Sequence, residues 1–168
     1  VAVKDMNDIL IRPMELKDAE FILDLYNQPA FIQYIADKQI HTLGDAQAYI
    51  KQGPQASHQQ FGHGLDVIIN TQNQSTIGVC GLLQRPELPA PDLGYAIASQ
   101  FTGLGFAYQA CQMVIAQSFE NLITDEILAL VSLDNIPSIR LLEKLNFVRI
   151  EPFTWHGETN WLYRLTRS

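Results

Sequence analysis

The stretch "SQFTGLGFAYQA", residues 99–110, places Gly103 and Gly105 one residue apart, between an apolar strand-like run and a run with helical spacing. Glycine enters positive φ without strain and lets other groups approach the main chain closely. The first turn of a helix presents N–H groups that lack intrahelical partners, at the positive end of the helix dipole. Two glycines at such a junction fit a phosphate-sized anion held by main-chain donors. They also fit a plain strand-to-helix turn, so the surrounding pattern has to decide. A P-loop requires a Lys-Ser/Thr pair after its glycines, and "GLGFAYQA" has none. A dinucleotide fingerprint requires a third glycine where Tyr108 stands and an acid closing a second strand, whereas Asp125 precedes its strand.

Upstream of the loop, "LDVIIN", "STIGVCGLL" and "DLGYAIAS" are β-rich runs separated by turn residues, among them Pro86, Pro89 and Pro91. Downstream, Ala107, Cys111, Val114, Ser118 and Leu122 recur at helical spacing over 103–120. "EILALVSL" is a continuous apolar run of the kind buried on both faces. "NIPSIRLLEKLNF" is an amphipathic helix with Asp134 or Asn135 as its cap, Pro137 in the first turn and Ile139, Leu142 and Leu145 inward. Asn146 suits the left-handed residue beyond its last turn. "FVRIEPFTWHGETNWLYRLTR" reads as two strands around an "HGE" turn. Nearer the start, Ile9 to Arg12 form a short strand before Pro13, and Ala19, Ile22, Leu23 and Tyr26 make a helical stripe. Pro29 interrupts, and "AFIQYIA" adds a short helical segment. Thr42 with Asp45 forms a capping-box pattern for a helix that Gly53 stops, leaving "PQASHQQFGHG" as a polar loop. The order is strand, helices, β-meander, strand–helix–strand–helix, hairpin: a mixed α/β chain with neither repeat nor linker.

A chain of 168 residues, 47% of them hydrophobic, is expected to form one domain over 1–168 with a sizeable core. No apolar run approaches the roughly 18 residues of a membrane span, and the first residues lack a signal-peptide pattern. Cys80 and Cys111 lie inside apolar elements, as buried free thiols of a reducing cytoplasm do. A net charge of −7 argues against a general nucleic-acid binder and mildly favours cationic substrates. No His/Cys/Asp/Glu cluster has metal-ligand spacing, so no metal is expected.

From end to end, "LIRPMELKDAEFILDLYN", "TIGVCGL", "DLGYAI", "FTGLGFAYQA" and "DNIPSIRLLEKLNF" resemble the GCN5-related N-acetyltransferase (GNAT) superfamily, most closely its bacterial RimJ/RimL-like branch that acetylates ribosomal-protein N-termini. The resemblance implies a central mixed, mostly antiparallel sheet of about seven strands, splayed in the middle, with helices on both faces. It implies acetyl-CoA as co-substrate in the split, its pyrophosphate on the amides of Gly103, Leu104, Gly105, Phe106 and Ala107. The family pattern Gln/Arg-x-x-Gly-x-Gly/Ala is met by "QFTGLG"; in the frame of "TGLGFA", Thr102 takes the Gln/Arg place. Relatives often carry Glu where Gln109 stands and Gly where Asn146 stands. The resemblance also implies that a strand amide at Ile97 or Ala98 holds the oxyanion and that Asn135 and Ser138 flank the pantetheine arm. Ser138 then returns the proton to the thiol. Arg140 and Lys144 lie where they could meet the 3′-phosphate. A monomer or a homodimer fits the family.

Acetyl transfer to an amine requires a neutral nucleophile. Deprotonating a lysine ammonium near pH 7.4 costs roughly 4 kcal/mol, whereas an α-amino group is already about a quarter neutral there. No strong base stands out, which favours a protein N-terminal α-amine as acceptor. Asp92, opening "DLGYAI", is the leading base candidate against the reading of a solvated strand-edge carboxylate. His63 is a weaker one. Tyr95 reads as core or pocket wall, and His156 and Glu158 flank the last hairpin, where they could touch substrate. The cysteines lack basic neighbours in sequence, against a nucleophilic role. Two alternatives remain: acetylation of a small amine such as a polyamine, aminoglycoside or amino acid, and a non-catalytic acyl-CoA-binding module. Residues 29–64, 84–91 and 153–161 are expected to wall the acceptor site.

Overall fold

Strand-like runs of the sequence become β1 (Ile9–Pro13), β2 (Leu65–Asn70), β3 (Thr76–Leu83), β4 (Asp92–Ile97), β5 (Glu126–Ser132), β6 (Val148–Trp155) and β7 (Glu158–Thr166) in a computed structural model that describes residues 8–168. They form one seven-stranded sheet in the order β1-β2-β3-β4-β5-β7-β6. Every neighbouring pair is antiparallel except β4 and β5, which run parallel. Those two are in register only at Asp92↔Leu128, where the Leu128 N–H donates to the Pro91 carbonyl at 2.9 Å. Beyond that point they part, and the sheet is split as the resemblance implies.

Successive side chains of a strand point to opposite faces, and the register sorts them. On one face, Cys80 lies opposite Tyr95 and Ala129 opposite Tyr163. These pack under α5 (Phe106–Glu120) and α6 (Ile136–Lys144) through Ala110, Cys111, Ile139 and Leu142. The other face carries Val67, Val79 and Ala96 beneath α1 (Ala19–Tyr26), α2 (Pro29–Tyr34) and α3 (Leu43–Ile50). Fully buried aliphatic side chains contribute about 1.5–3 kcal/mol each, so Ile22, Leu25 and Ile50 hold these short helices more than propensity does. Farther along the same face, Leu128 and Leu162 pack against Leu88 and Ala90 of the loop before β4. Asp92, paired with Leu128, stands between these two small cores.

Several local expectations hold in detail. Thr42 accepts from the Asp45 amide at 3.0 Å while Asp45 accepts from the Thr42 amide, a complete capping box. Asn146 takes φ +70 after α6, and the last hairpin turns at His156-Gly157.

Others are corrected. Gly53 does not stop its helix. Lys51–Gln55 continues it as a π-helical segment, and α4 (Ala56–Phe61) follows, so "PQASHQQF" is helical. Pro54 lacks an N–H and would collide with the carbonyl one turn back; a widened turn accommodates both. The stop is Gly62, at φ +79. In α1, Leu25 is buried where Leu23 was expected. In α5 the buried stripe is Ala110, Cys111, Val114 and Ser118. Ala107 is half-buried at the helix start, and Leu122 lies beyond the helix end, 71% exposed.

Candidate active site

The loop from β4 to α5 turns twice through left-handed backbone, Gly103 at φ +77 and Gly105 at φ +85. A Cβ at either position would meet nothing within 4 Å, so the concave side of the loop is open. Gly105 is the N-cap of α5 and supplies no side-chain cap. Among the described residues, no main-chain N–H from Gly103 to Tyr108 donates to a protein acceptor; the first amide to do so is that of Gln109, to Gly105. Unsatisfied donors in a nest at a helix N-terminus are the chemistry that a diphosphate requires. Leu104 is 65% exposed over this loop, and Phe106 and Ala107 are half-buried. Thr102 commits its hydroxyl proton to the Ser99 carbonyl at 2.9 Å, which makes it a turn brace.

The split offers further donors. The Ala98 amide donates to Ile77 of β3 at 2.9 Å, so it is already used and points away from β5. Because N–H directions alternate along a strand, Tyr95 and Ile97 turn theirs toward the split. Of the pair expected to hold an oxyanion, geometry keeps Ile97 and removes Ala98. Across the split, Asn135 caps α6 by accepting the Ser138 amide at 3.4 Å. Ser138 thereby sits in the first turn. Burial raises the Tyr95 pKa, and the neighbouring Ser138 hydroxyl opposes that rise. Lys144 stacks on the Tyr108 ring at 4.1 Å, tying α6 to α5, while Arg140 is exposed.

At the closed end of the split, Asp92 is 2% exposed, which excludes the solvated-edge reading. The Arg85 Nε lies 3.0 and 3.1 Å from its two carboxylate oxygens. Burial pushes the Asp92 pKa up to about 6, with Arg85 opposing. The Arg85 guanidinium also stacks 4.9 Å from the centre of the Trp155 ring. Burial raises the Tyr49 pKa and lowers that of Lys38; the Arg85 charge opposes the first shift and adds to the second. Tyr49 in turn hydrogen-bonds Tyr26 through hydroxyls 2.7 Å apart. These side chains come from the loop after α2, from α3, from the loop before β4 and from the last hairpin, the segments expected to wall the acceptor. Arg85, Lys38, Tyr49 and Trp155 were not singled out in sequence; the available signal was an Arg and an Asp bracketing the three prolines of 85–92, a loop built to fold back.

The remaining candidates fall elsewhere. His63 is buried with its Nδ1 on the Leu82 carbonyl at 3.2 Å and stacks on Phe61, a packing role. His156 lies edge-on to Trp155 at 4.6 Å in the exposed hairpin turn, beside Glu158. Cys80 and Cys111 are buried free thiols with sulfurs 3.9 Å apart on the face below α5. Among the described residues, no group of His, Cys, Asp and Glu is placed to hold a metal, and no helix is long and apolar enough to cross a membrane.

Two ties join the two ends of the site. The Gln28 Oε1 accepts from the Ser99 amide at 2.8 Å and from its hydroxyl at 2.9 Å. The Ser132 hydroxyl donates to the Tyr34 carbonyl at 3.2 Å. Helix α2 thus straps the mouth of the split, fixed to the end of β4 on one side and to the end of β5 on the other.

Comparison with known proteins agrees with this architecture. The chain is 28% identical over 140 residues to the uncharacterized N-acetyltransferase p20 of Bacillus licheniformis, covering 83% of this chain and 78% of that protein. Its fold is similar to that of the ribosomal L7/L12 α-N-protein acetyltransferase RimL solved with coenzyme A: TM-score 0.82, 15% identity, 95% of this chain and 94% of that one covered. It is also similar to a chimera of the Vibrio cholerae spermidine N-acetyltransferase SpeG and hSSAT, with TM-score 0.74, 20% identity and coverage of 94% and 93%. Residues 8–148 match the acetyltransferase (GNAT) domain, and by that match, on a split sheet with an open amide loop, the chain belongs to the GNAT acetyltransferases.

Proposed function

We propose that this acyltransferase moves an acetyl group from acetyl-CoA directly to a protein N-terminal α-amine, within a ternary complex. The observation that carries the reading is the run of unpartnered amides from Gly103 to Tyr108, opening onto the split between β4 and β5. Acetyl-CoA, when bound, supplies the thioester carbonyl that the amine attacks. Gly103, Leu104, Gly105, Phe106 and Ala107 hold its diphosphate through their main chain. The Ile97 amide faces the split and stabilises the developing oxyanion, the kind of preorganised donor that is commonly the largest catalytic contribution. Asp92, poised near neutrality by burial, takes up through water the proton that the amine loses on acylation, since five residues of extended strand, roughly 16 Å, separate it from Ile97. Ser138, held by the Asn135 cap, returns a proton to the departing thiolate.

An α-amine suits this base. Its reference pKa of about 7.7–8.0 lies within two units of that of Asp92, whereas a lysine side chain lies more than four above it. Thiol release measured over a panel of peptide N-termini, lysine side chains and polyamines tests the reading. N-terminal α-amines are expected to turn over fastest. Faster turnover of spermidine or an aminoglycoside would move the acceptor to the small amines.

A further inference from the structure

Arg85 uses only part of its guanidinium. Its Nε is held by Asp92 and its plane by Trp155, while neither Nη has a hydrogen-bond or ion-pair partner among the described residues. The side chain is 29% exposed, so this edge is partly withdrawn from water and fixed in direction. Lys38, on the loop after α2, has no acidic partner among the described residues; burial, and after it the charge of Arg85, lowers its pKa. Among the described residues Asp92 is the one carboxylate paired with Arg85, and it engages Nε alone.

We propose that the free edge of Arg85, assisted by Lys38, binds a carboxylate of the acceptor, so that the preferred substrate is an α-amine with a carboxylate a few bonds away. The inference rests on the acetyl-transfer reading above and narrows its substrate class. Geometry sets the spacing. The proton acceptor Asp92 and the anion-binding Arg85 touch at 3.0 Å. A carboxylate held at Arg85 therefore lies beside the group that takes up the amine's proton, and it belongs to the acceptor residue or to one close to it in sequence. A planar guanidinium with two open Nη groups matches a carboxylate bidentately, which a lysine cannot reproduce. The same charges repel a polyamine, whose second ammonium would lie against Lys38 and Arg85. The carboxylate can come from an N-terminal Asp or Glu of a peptide or from the α-carboxylate of a free amino acid.

The test compares kcat/KM for peptides that differ only in an N-terminal Asp or Asn, for free aspartate and for spermidine, in the natural protein and in Lys38→Met and Arg85→Lys. The Asp peptide is expected to exceed its Asn partner about tenfold or more. That ratio falls toward one in both variants, chiefly through KM. Preference for peptide over free aspartate, or the reverse, identifies the source of the carboxylate. Parity of the Asp and Asn peptides with free aspartate no better than either, or preference for spermidine, overturns the proposal. A readout independent of turnover is calorimetric titration of the N-acetylated Asp and Asn peptides, the reaction products, into protein with coenzyme A. Tighter binding of the acidic product, lost in Lys38→Met, upholds carboxylate recognition even if no transfer occurs. Equal binding, or none, sinks it whatever the activity.

Discussion

The two ends of the site are made of different material. At the open end, the chemistry is main chain: a few consecutive residues from Gly103 to Tyr108 present amides, and the two glycines matter by leaving that main chain bare. At the closed end, the chemistry is side chain, and Lys38, Tyr49, Arg85, Asp92 and Trp155 are gathered from distant segments. A backbone cradle serves any ligand with the same diphosphate. A side-chain cluster can be redrawn one residue at a time without disturbing the cradle. One fold can therefore keep a single acetyl donor while its acceptors change.

That division predicts separable damage. The largest effect is expected from Gly105→Glu. A side chain at φ +85 is strained by about 1–2 kcal/mol and sets an anion in the loop proposed to hold the diphosphate. Calorimetry should show coenzyme A affinity falling about a thousandfold, with a modest loss of stability because a Cβ there meets no protein atom. If coenzyme binding survives, the cradle is not where the donor sits.

Asp92→Asn should do the converse: kcat/KM drops about a hundredfold while coenzyme affinity holds. In the natural protein the rate should rise through an acid limb near pH 6, separate from the titration of the α-amine near 8. The variant should lack that limb, and a limb that persists would move the base elsewhere.

A smaller effect concerns stability. Asp92 holds its proton to about pH 6 when folded and, as an ordinary carboxyl, to about pH 4 when unfolded. The folded chain binds more protons across that window, so stability falls as pH rises through it. Urea unfolding at pH 4 and pH 7.5 should show Asp92→Asn gaining about 2 kcal/mol on the natural protein between the two. An unchanged difference would mean that Asp92 is not desolvated.

The smallest effect should come from Gln28→Ala, which cuts the tie from the strap to Ser99. At about 1 kcal/mol per hydrogen bond, it should weaken donor and acceptor binding together, by roughly five- to tenfold. Loss of one alone would show that the ends are not joined through α2.

The same contrast explains what the sequence could reveal. The amide loop needs glycine at two positions of a strand–helix junction, and that constraint is written in a few adjacent letters. Thr42 with Asp45, and Asn146 after α6, are equally local and equally readable. Arg85 and Trp155 are seventy residues apart and meet only because the proline-rich loop folds back over Leu128 and Leu162. No periodicity announces such a meeting. Asp92 was noticed for its place at a strand start, but its burial depends on that same loop. The choice between Ile97 and Ala98 is open in the sequence for a related reason, since which amides face the split depends on the register with β3, visible only once the strands are paired. The π-helical turn escaped notice because Gly-Pro normally ends a helix.

The sheet is joined across its middle by hydrogen bonds around a single registered pair, Asp92 with Leu128. The molecule is therefore a ladder with rungs missing, and the amides of Tyr95 and Ile97 mark where they would go. In native-state hydrogen exchange these two should trade with solvent far faster than their neighbours Ala96 and Ala98. They should slow sharply when the pantetheine arm takes the place of an absent strand. Loading the enzyme is then also finishing its sheet, and resistance to unfolding becomes a gauge of occupancy.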